Sequence, residues 1–166
     1  MKITAQEEYG LRCLLQLASA PVEGGLTVKE IAGREGLSPA YVEKLLRKLG
    51  KAGLIHSIRG AKGGFRLNHP PEELSLGVVV RALGSVPTTG EICDRFTGSR
   101  SSCVHIDNCC IRSAWATLTA ALQGFLDRTF LSDLIGPEAE ATDILARRME
   151  PTRIHFVPKE QEKDKT

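Results

Sequence analysis

Aromatic residues are scarce in this chain, and no apolar run is long enough to cross a membrane. Phe, Tyr and Trp make up 5% of the 166 residues, which is a poor composition for a protein that stacks single-stranded bases on aromatic rings. The first ten residues, MKITAQEEYG, contain no apolar core of the kind that signal peptides have. We therefore expect a cytoplasmic protein without a membrane partner, in a compartment where stable disulfides are rare.

Signatures of an enzyme are also lacking. The sequence shows no obvious nucleophile, phosphate loop or acid–base pair. Hydrophobic residues make up 42% of the chain and charged residues 25%, which suits one or two small globular domains. We therefore expect a binding protein rather than an enzyme.

The charge is unevenly distributed, although the net charge is only +2. Residues 34–66 carry many cations and few acids. The cations are Arg34, Lys44, Arg47, Lys48, Lys51, Arg59, Lys62 and Arg66, and the acids are Glu35 and Glu43. A segment with this bias is a candidate surface for binding phosphates.

The first fifty residues contain three signals for the start of a helix. Thr4 with Glu7 and Thr27 with Glu30 have the spacing of capping boxes. Ser38-Pro39 then places an N-cap and a first-turn proline before an apolar stripe formed by Val42, Leu45, Leu46 and Leu49. Two short helices joined by a tight turn, the second of them basic, predict a helix-turn-helix.

A β-hairpin is predicted directly after this motif. Residues 53–59 form a strand-like run, residues 60–64 a glycine-rich basic turn, and Phe65-Arg66-Leu67 the returning strand. We therefore predict a mainly α fold with a small β-hairpin wing, in which residues 1–72 form a winged helix-turn-helix domain.

In such a domain the second helix of the motif enters the major groove, and flanking side chains hold phosphates. The residues predicted to contact DNA are Ser38, Pro39, Tyr41, Glu43, Lys44, Arg47, Arg59, Lys62 and Gly63. Glu43 has two possible roles, because its carboxylate can accept from a cytosine amino group or pair with Arg47 one turn later. The wing glycines allow close approach to DNA, or they serve only a tight turn.

Four cysteines crowd into one segment after residue 84, namely Cys93, Cys103, Cys109 and Cys110. Thiolates are the usual ligands of iron–sulfur clusters and of zinc, but the CxxC pairs of common zinc sites are missing here. A redox pair of adjacent thiols, Cys109 and Cys110, is the alternative. Cys13 stands apart in an apolar helical stripe, where we expect a buried packing role.

A long amphipathic helix is predicted after the cysteines. Its apolar seam comprises Ile111, Trp115, Leu118, Leu122, Phe125 and Thr129. The period suits packing against the helix of a second subunit, although a helix that covers its own domain would show it too. Residues 73–135 thus form a helix, a cysteine-rich loop and a dimerisation helix. Residues 136–166 form a C-terminal extension, predicted to be disordered after about residue 150.

In combination, these features resemble the Rrf-two family of bacterial winged-helix regulators, of which IscR and NsrR are members. The resemblance rests on MKITAQEEYGLR at the start, SPAYVEKLLRKL in the third helix, RGAKGGF in the wing, the cysteine loop and the Ala-Trp that follows it. It covers about residues 1–135. The family implies a homodimer that binds double-stranded DNA at a palindromic operator.

The resemblance also implies an iron–sulfur cluster, with [2Fe-2S] favoured over [4Fe-4S]. Its cysteine ligands would be Cys93, Cys103 and Cys109, although the spacing from Cys93 to Cys103 is longer than is usual in the family. Some members add a histidine at the position that Arg112 occupies here, and arginine cannot ligate. Others add an acidic residue of the first helix from the partner subunit, which matches Glu8. Glu8 is the first choice for the fourth ligand, with Cys110 and His105 as rivals, and an ion pair with Arg12 is its non-ligand role.

The sequence therefore predicts a transcription regulator whose cluster state controls operator binding through redox change, cluster loss or nitrosylation. The alternative is a cluster-free regulator of the same fold, switched by thiol oxidation or by a protein partner.

Overall fold

Six α-helices, a two-stranded hairpin and a short 3-10 helix follow one another along the described part of the chain. The computed structural model describes residues 3–21, 24–60, 63–84 and 97–149. The helices are α1 (Ala5–Ala18), α2 (Val28–Glu35), α3 (Pro39–Lys51), α4 (Leu76–Leu83), α5 (Cys110–Arg128) and α6 (Glu138–Arg148). The strands are β1 (Ile55–Ile58) and β2 (Gly64–Leu67), and the 3-10 helix is Leu131–Leu134. The predicted fold class is confirmed.

The helices begin where the sequence predicts. Both capping boxes are formed, and the Glu7 and Glu30 carboxylates each accept from the backbone N–H of the capping threonine at 2.7 Å. The Ser38 hydroxyl caps α3 by accepting from the Tyr41 N–H. Gly36, with φ of 65°, ends α2 in the left-handed conformation that favours glycine.

The hairpin is antiparallel, with Ile55 opposite Leu67 and Ile58 opposite Gly64. Leu26 adds a bridge on its outer side, because its N–H and carbonyl both bond to Phe65, at 3.2 and 2.8 Å. A Cβ at Gly64 would come within 2.7 Å of the Leu26 carbonyl. The close approach of these two segments therefore requires glycine at position 64.

A single apolar core joins residues from both sides of the predicted domain boundary at residue 72. Its fully buried members include Leu14 of α1, Ile31 of α2, Leu46 of α3, Leu83 of α4 and Leu131 of the 3-10 helix. The hydrophobic effect thus holds the helix-turn-helix, α4 and the 3-10 helix as one packed unit.

The chain returns to this core after α5 through backbone hydrogen bonds between residues 71–76 and 129–132. The Leu76 N–H donates to the Thr129 carbonyl at 2.7 Å, and the Leu131 N–H donates to the Leu74 carbonyl at 2.8 Å. These bonds fix the C-terminal end of α5 beside the N-terminal end of α4.

The extension after residue 136 contains a helix that the sequence analysis did not predict. This helix, α6, is joined to the 3-10 helix by an ion pair between Arg148 and the buried Asp133 carboxylate, at 3.1 Å. The Arg148 guanidinium also lies 5.6 Å from the centre of the Phe130 ring. The tail predicted to be disordered after about residue 150 lies outside the described residues. Across the described ranges, no helix combines the length and apolarity of a membrane span.

Candidate nucleic-acid interface and cysteine loop

Helix α3 has one fully buried face and one open face. Val42, Leu45, Leu46 and Leu49 are at most 1% exposed. The opposite side presents the predicted DNA contacts, of which Ser38, Pro39, Glu43, Lys44 and Arg47 are exposed. The core therefore fixes the rotation of the helix, and that rotation turns Lys44 and Arg47 to solvent.

Tyr41, at the start of α3, is only half-exposed because its ring packs against the protein. Its centre lies 6.1 Å from that of Tyr9 on α1, with the rings edge to face at 81°. The Arg12 guanidinium lies 5.7 Å from the Tyr9 ring. Tyr41 thus anchors the first turn of α3 as well as lying on its open side.

Glu43 and Arg47 form the ion pair that the sequence analysis considered, with 2.8 Å between Oε1 and Nη2. Both side chains are more than half exposed, and exposed pairs of this kind contribute at most about 1 kcal/mol. Little free energy is lost if either group turns toward a base or a phosphate. A base-reading role for Glu43 stays a prediction.

Lys48 differs from the other cations of α3, which the sequence analysis did not foresee. Lys44, Arg47 and Lys51 are exposed, whereas Lys48 is half-buried and its Nζ donates to the carbonyl of Leu83 at the end of α4. Because that contact joins residues 35 apart in the chain, helical periodicity alone gives no sign of it.

The wing tip carries Arg59, exposed directly after β1, while Lys62 lies outside the described residues. Gly63 closes the turn by donating to the Gly60 carbonyl at 2.9 Å. A Cβ at Gly63 would come within 2.7 Å of the Ile58 carbonyl. The turn itself therefore requires glycine here, and contact of Gly63 with DNA stays a prediction.

The cysteines have different environments. Cys93 lies outside the described residues, Cys103 and Cys109 are half-buried, and Cys110 is exposed. Cys13 is fully buried in the core, and burial, followed by the nearby charge of Glu35, raises its pKa to about 11. This placement agrees with the packing role expected for Cys13.

Cys109 begins α5 as its N-cap. Its Sγ accepts from the Arg112 N–H at 3.4 Å, and the Arg112 guanidinium donates to the carbonyls of His105 and Ile106. The Ile106 N–H in turn bonds to the Cys103 carbonyl at 3.1 Å. This network ties the loop between Cys103 and Cys109 to the first turn of the helix.

The residues of this loop fit an iron–sulfur cluster in chemistry. Cys103 and Cys109 supply two half-buried thiols, and the Arg112 Nε is buried without a hydrogen-bond partner among the described residues. Cluster sulfurs accept hydrogen bonds from such donors. Within the described ranges, however, no three Cys, His, Asp or Glu side chains lie close enough together to hold a metal. Among the described residues the loop therefore offers two of the thiols that the family resemblance implies, and not a complete ligand set.

The candidates for the fourth ligand remain separate from this network. Glu8 pairs with Arg12 at 3.0 Å and its side chain is 49% exposed. His105 and Cys110 are both exposed. The structure thus forms the Glu8–Arg12 pair that the sequence analysis considered, and ligation by any of the three stays a prediction.

Comparison with known proteins gives consistent similarities. The model of the Rrf2 family, described as an iron-dependent transcriptional regulator, matches residues 3–137. The protein named rrf2 from Nitratidesulfovibrio vulgaris is 38% identical over 135 residues, which are 81% of this chain and 87% of that protein. The regulator IscR of Aliivibrio salmonicida is 34% identical over 81% of this chain and 77% of its own length.

Solved structures show the same fold. CymR of B. subtilis, described as the global cysteine regulator, has a TM-score of 0.65 and 32% identity over 81% of this chain and 95% of its own. IscR of T. potens has a TM-score of 0.64 and 31% identity over 81% and 85% of the two chains. The oxidised form of CymR from Staphylococcus aureus has a TM-score of 0.60 and 33% identity over 79% and 93%.

Proposed function

The chain belongs to the Rrf2 family of DNA-binding transcriptional regulators, and from that premise we propose that it acts as a homodimer whose affinity for a palindromic operator depends on an iron–sulfur cluster. The observation that carries the DNA-binding part is the orientation of α3. Its apolar face is fully buried and its open face presents Lys44 and Arg47. A helix held in this way can place its first turns in the major groove while the wing follows the backbone.

The dimer rests on the first half of the seam of α5, because Leu122 and Phe125 are half-buried and Thr129, just beyond the helix, is fully buried. None of the nineteen residues of this helix, all within the described ranges, is buried. Ile111, Trp115 and Leu118 are 63%, 46% and 58% exposed. Exposed apolar side chains in a row favour burial against an equal surface, and a second copy supplies one by two-fold symmetry.

The cluster rests on the cysteine loop. Cys103 and Cys109 would supply two thiolates, and Cys93, on the preceding segment, would supply the third. Glu8 of the partner subunit would complete the set, at the modest cost of its exposed pair with Arg12. A bound cluster supplies redox-active iron that is sensitive to oxidants, nitric oxide and iron supply.

DNA binding is tested by removing one cation from α3 and one from the wing. For the Arg47→Ala, Arg59→Ala double variant we expect weaker binding to operator DNA. Because each neutralised phosphate releases counterions, the slope of log K against log salt should fall by about 0.9 for every phosphate that is no longer neutralised. The matched control is Arg147→Ala, which removes an exposed cation of α6. Wild-type affinity and slope in the double variant would refute the interface.

The cluster is tested by iron, sulfide and absorption measurements on protein purified without oxygen. Cys93→Ala, Cys103→Ala and Cys109→Ala should each lose the cluster, while Cys13→Ala and Cys110→Ala should keep it. Glu8→Ala should assemble a cluster with a shifted spectrum that decays faster in air, because one oxygen ligand is weaker than three thiolates. Full occupancy in Cys103→Ala would refute the three-cysteine site.

A cluster-free regulator switched by thiol oxidation is the second candidate. It is favoured by the exposed thiol of Cys110 next to Cys109 and by the similarity to CymR, one structure of which is an oxidised form. Colourless, iron-free protein with DNA binding that oxidant changes and a thiol reductant restores would support this candidate. Loss of that response in Cys110→Ser would assign it to the exposed thiol.

A further inference from the structure

The C-terminal end of α4 is held by side chains from two other helices. The Leu83 carbonyl, the last of α4, accepts from Nζ of Lys48 on α3 and from Nε2 of Gln6 on α1. Cationic and N–H donors suit this position because the last carbonyls of a helix lack helical partners and carry partial negative charge. Helix α3, the recognition helix of the helix-turn-helix, is thus bonded directly to the residue at which α4 ends.

The same end of α4 is also closely packed against α1. The Leu83 side chain is fully buried and lies against Gly10, where a Cβ would come within 2.5 Å of Cδ1 of Leu83. At the next residue, Gly84, a Cβ would overlap the Glu7 carboxylate. Packing this tight leaves little room for one element to move without the others.

The contacts of Leu83 and Gly84 with α1 and α3 are called the α4 junction below. Their position in the chain gives them a functional meaning. The chain leaves α4 at Leu83, and Cys93 lies on the segment that follows. Glu8, the proposed fourth ligand, lies on α1 directly after Glu7, which touches Gly84. Along the chain, the α4 junction therefore connects α3 with the segment that carries Cys93 of this subunit's cluster and with α1, whose Glu8 would serve the partner's cluster.

We infer that Lys48 is a positioning residue that couples the recognition helix to the start of the cysteine loop, rather than a contact to DNA. This inference rests on the proposed function. A change at the ligands displaces the segment at Leu83 and Gly84, and the bond from Lys48 passes that displacement to α3. The exposed cations of α3 then meet the phosphates in a different register.

The test compares two lysines of the same helix, Lys48→Met and Lys44→Met. Operator affinity is measured for protein with and without cluster at several salt concentrations, together with iron content. In wild-type protein we expect the two states to differ by about 5- to 150-fold, the usual range of allosteric coupling. Lys48→Met should keep its iron and its salt slope, but the two affinities should come within about twofold of each other.

Lys44→Met is the matched control, because this exposed lysine faces solvent on the DNA side. It should lower the salt slope by about 0.9 and weaken both states equally, so that their ratio is kept. Lys48→Arg, which retains a donor, should restore part of the wild-type ratio. If Lys48→Met fails to fold, Lys48→Leu removes the same donor with a different apolar side chain and should narrow the ratio of the two affinities in the same way.

The outcomes separate this inference from the function on which it rests. A wild-type ratio that persists in Lys48→Met overturns the inference and leaves cluster control intact. A lower salt slope in Lys48→Met also overturns it, because Lys48 would then be a phosphate contact. Equal affinities of wild-type protein with and without cluster overturn cluster control, and the coupling role of Lys48 with it.

Discussion

The winged helix and α5 are built on opposite principles. In α3 every apolar side chain of the inward face is buried by α1, α2 and α4, so the chain completes this region by itself. In α5 none of the residues is buried, although Ile111, Trp115 and Leu118 form an apolar row along it. The first region is completed by its own chain, whereas the second leaves Ile111, Trp115 and Leu118 exposed in the single chain.

We expect the largest difference between the two regions when charged residues are introduced into the seam of α5. In Leu118→Asp, Leu122→Asp each carboxylate would be buried unpaired in a dimer, which costs several kcal/mol per charge. We expect a monomer in sedimentation experiments, with the winged helix still folded. The control is Ser113→Asp, Ala120→Asp, at two exposed positions on the opposite side of α5, which should stay dimeric. A dimeric Leu118→Asp, Leu122→Asp variant would exclude the seam as the interface.

Truncating one leucine in each region compares how much the two side chains contribute to the free energy of unfolding. Leu46→Ala leaves a cavity in a core where this side chain is fully buried, and the free energy of unfolding should fall by about 2–5 kcal/mol. Leu118→Ala should change the unfolding of the monomer by no more than about 0.5 kcal/mol, because the side chain is exposed there. Urea unfolding at low protein concentration measures both. Equal losses would mean that α5 packs on its own domain.

The sequence alone predicts the parts of the fold that depend on residues close together in the chain. The capping boxes and the Ser38 cap act over three positions, so their residue types reveal them. The pairs Glu8–Arg12 and Glu43–Arg47 were foreseen for the same reason, since helix geometry brings residues four apart together.

The features that sequence did not reveal depend on contacts distant in the chain. Lys48 has the spacing of an exposed cation but reaches Leu83. Leu131 is fully buried only because the chain returns beside Leu74 after α5. Helix α6 has no buried residue in the described range, so its apolar pattern is weak, and it is held mainly through Arg148.

Cys13 and Cys110 should differ in their reactivity toward an alkylating reagent. In cluster-free protein, iodoacetamide should label the exposed Cys110 rapidly and leave the buried Cys13 unmodified until the chain is unfolded. Burial raises the pKa of Cys13 from 9.0 to about 11, so almost no thiolate is present at neutral pH. Because the folded state holds this proton more tightly, stability should decrease as pH rises from about 9 toward 11. Cys13→Ala should remove that part of the pH dependence, and mass spectrometry gives the labelling. Rapid native labelling of Cys13 would contradict its burial.

The smallest expected difference is between two threonines. Thr27→Ala removes the N-cap of α2 and should lower the free energy of unfolding by about 0.5–2 kcal/mol. The backbone and side-chain hydrogen bonds of Thr27 lower the pKa of Glu30. The stability that the ionised Glu30 carboxylate gains from these hydrogen bonds is therefore present above its ordinary pKa of 4.5. It is lost as pH falls below that value. Thr142→Ala on α6 should have almost no effect on thermal unfolding, and comparable losses in both variants would remove the distinction.

The C-terminal end of α5, here called its root, would determine the distance between the two DNA-binding helices of a dimer formed through α5. Arg81 and Asp127 join α4 to α5 at 2.9 Å, and the bonds at Leu76 and Leu131 clamp the residues that follow. Among the described residues no flexible linker separates this root from α3, since both adjoin one packed core. In a two-fold assembly through α5, packing rather than a flexible segment would therefore set the distance between the two recognition helices in each cluster state. We therefore expect such a dimer to discriminate operators by the spacing of their half-sites, and an insertion of half a helical turn between the half-sites should abolish binding by the dimer.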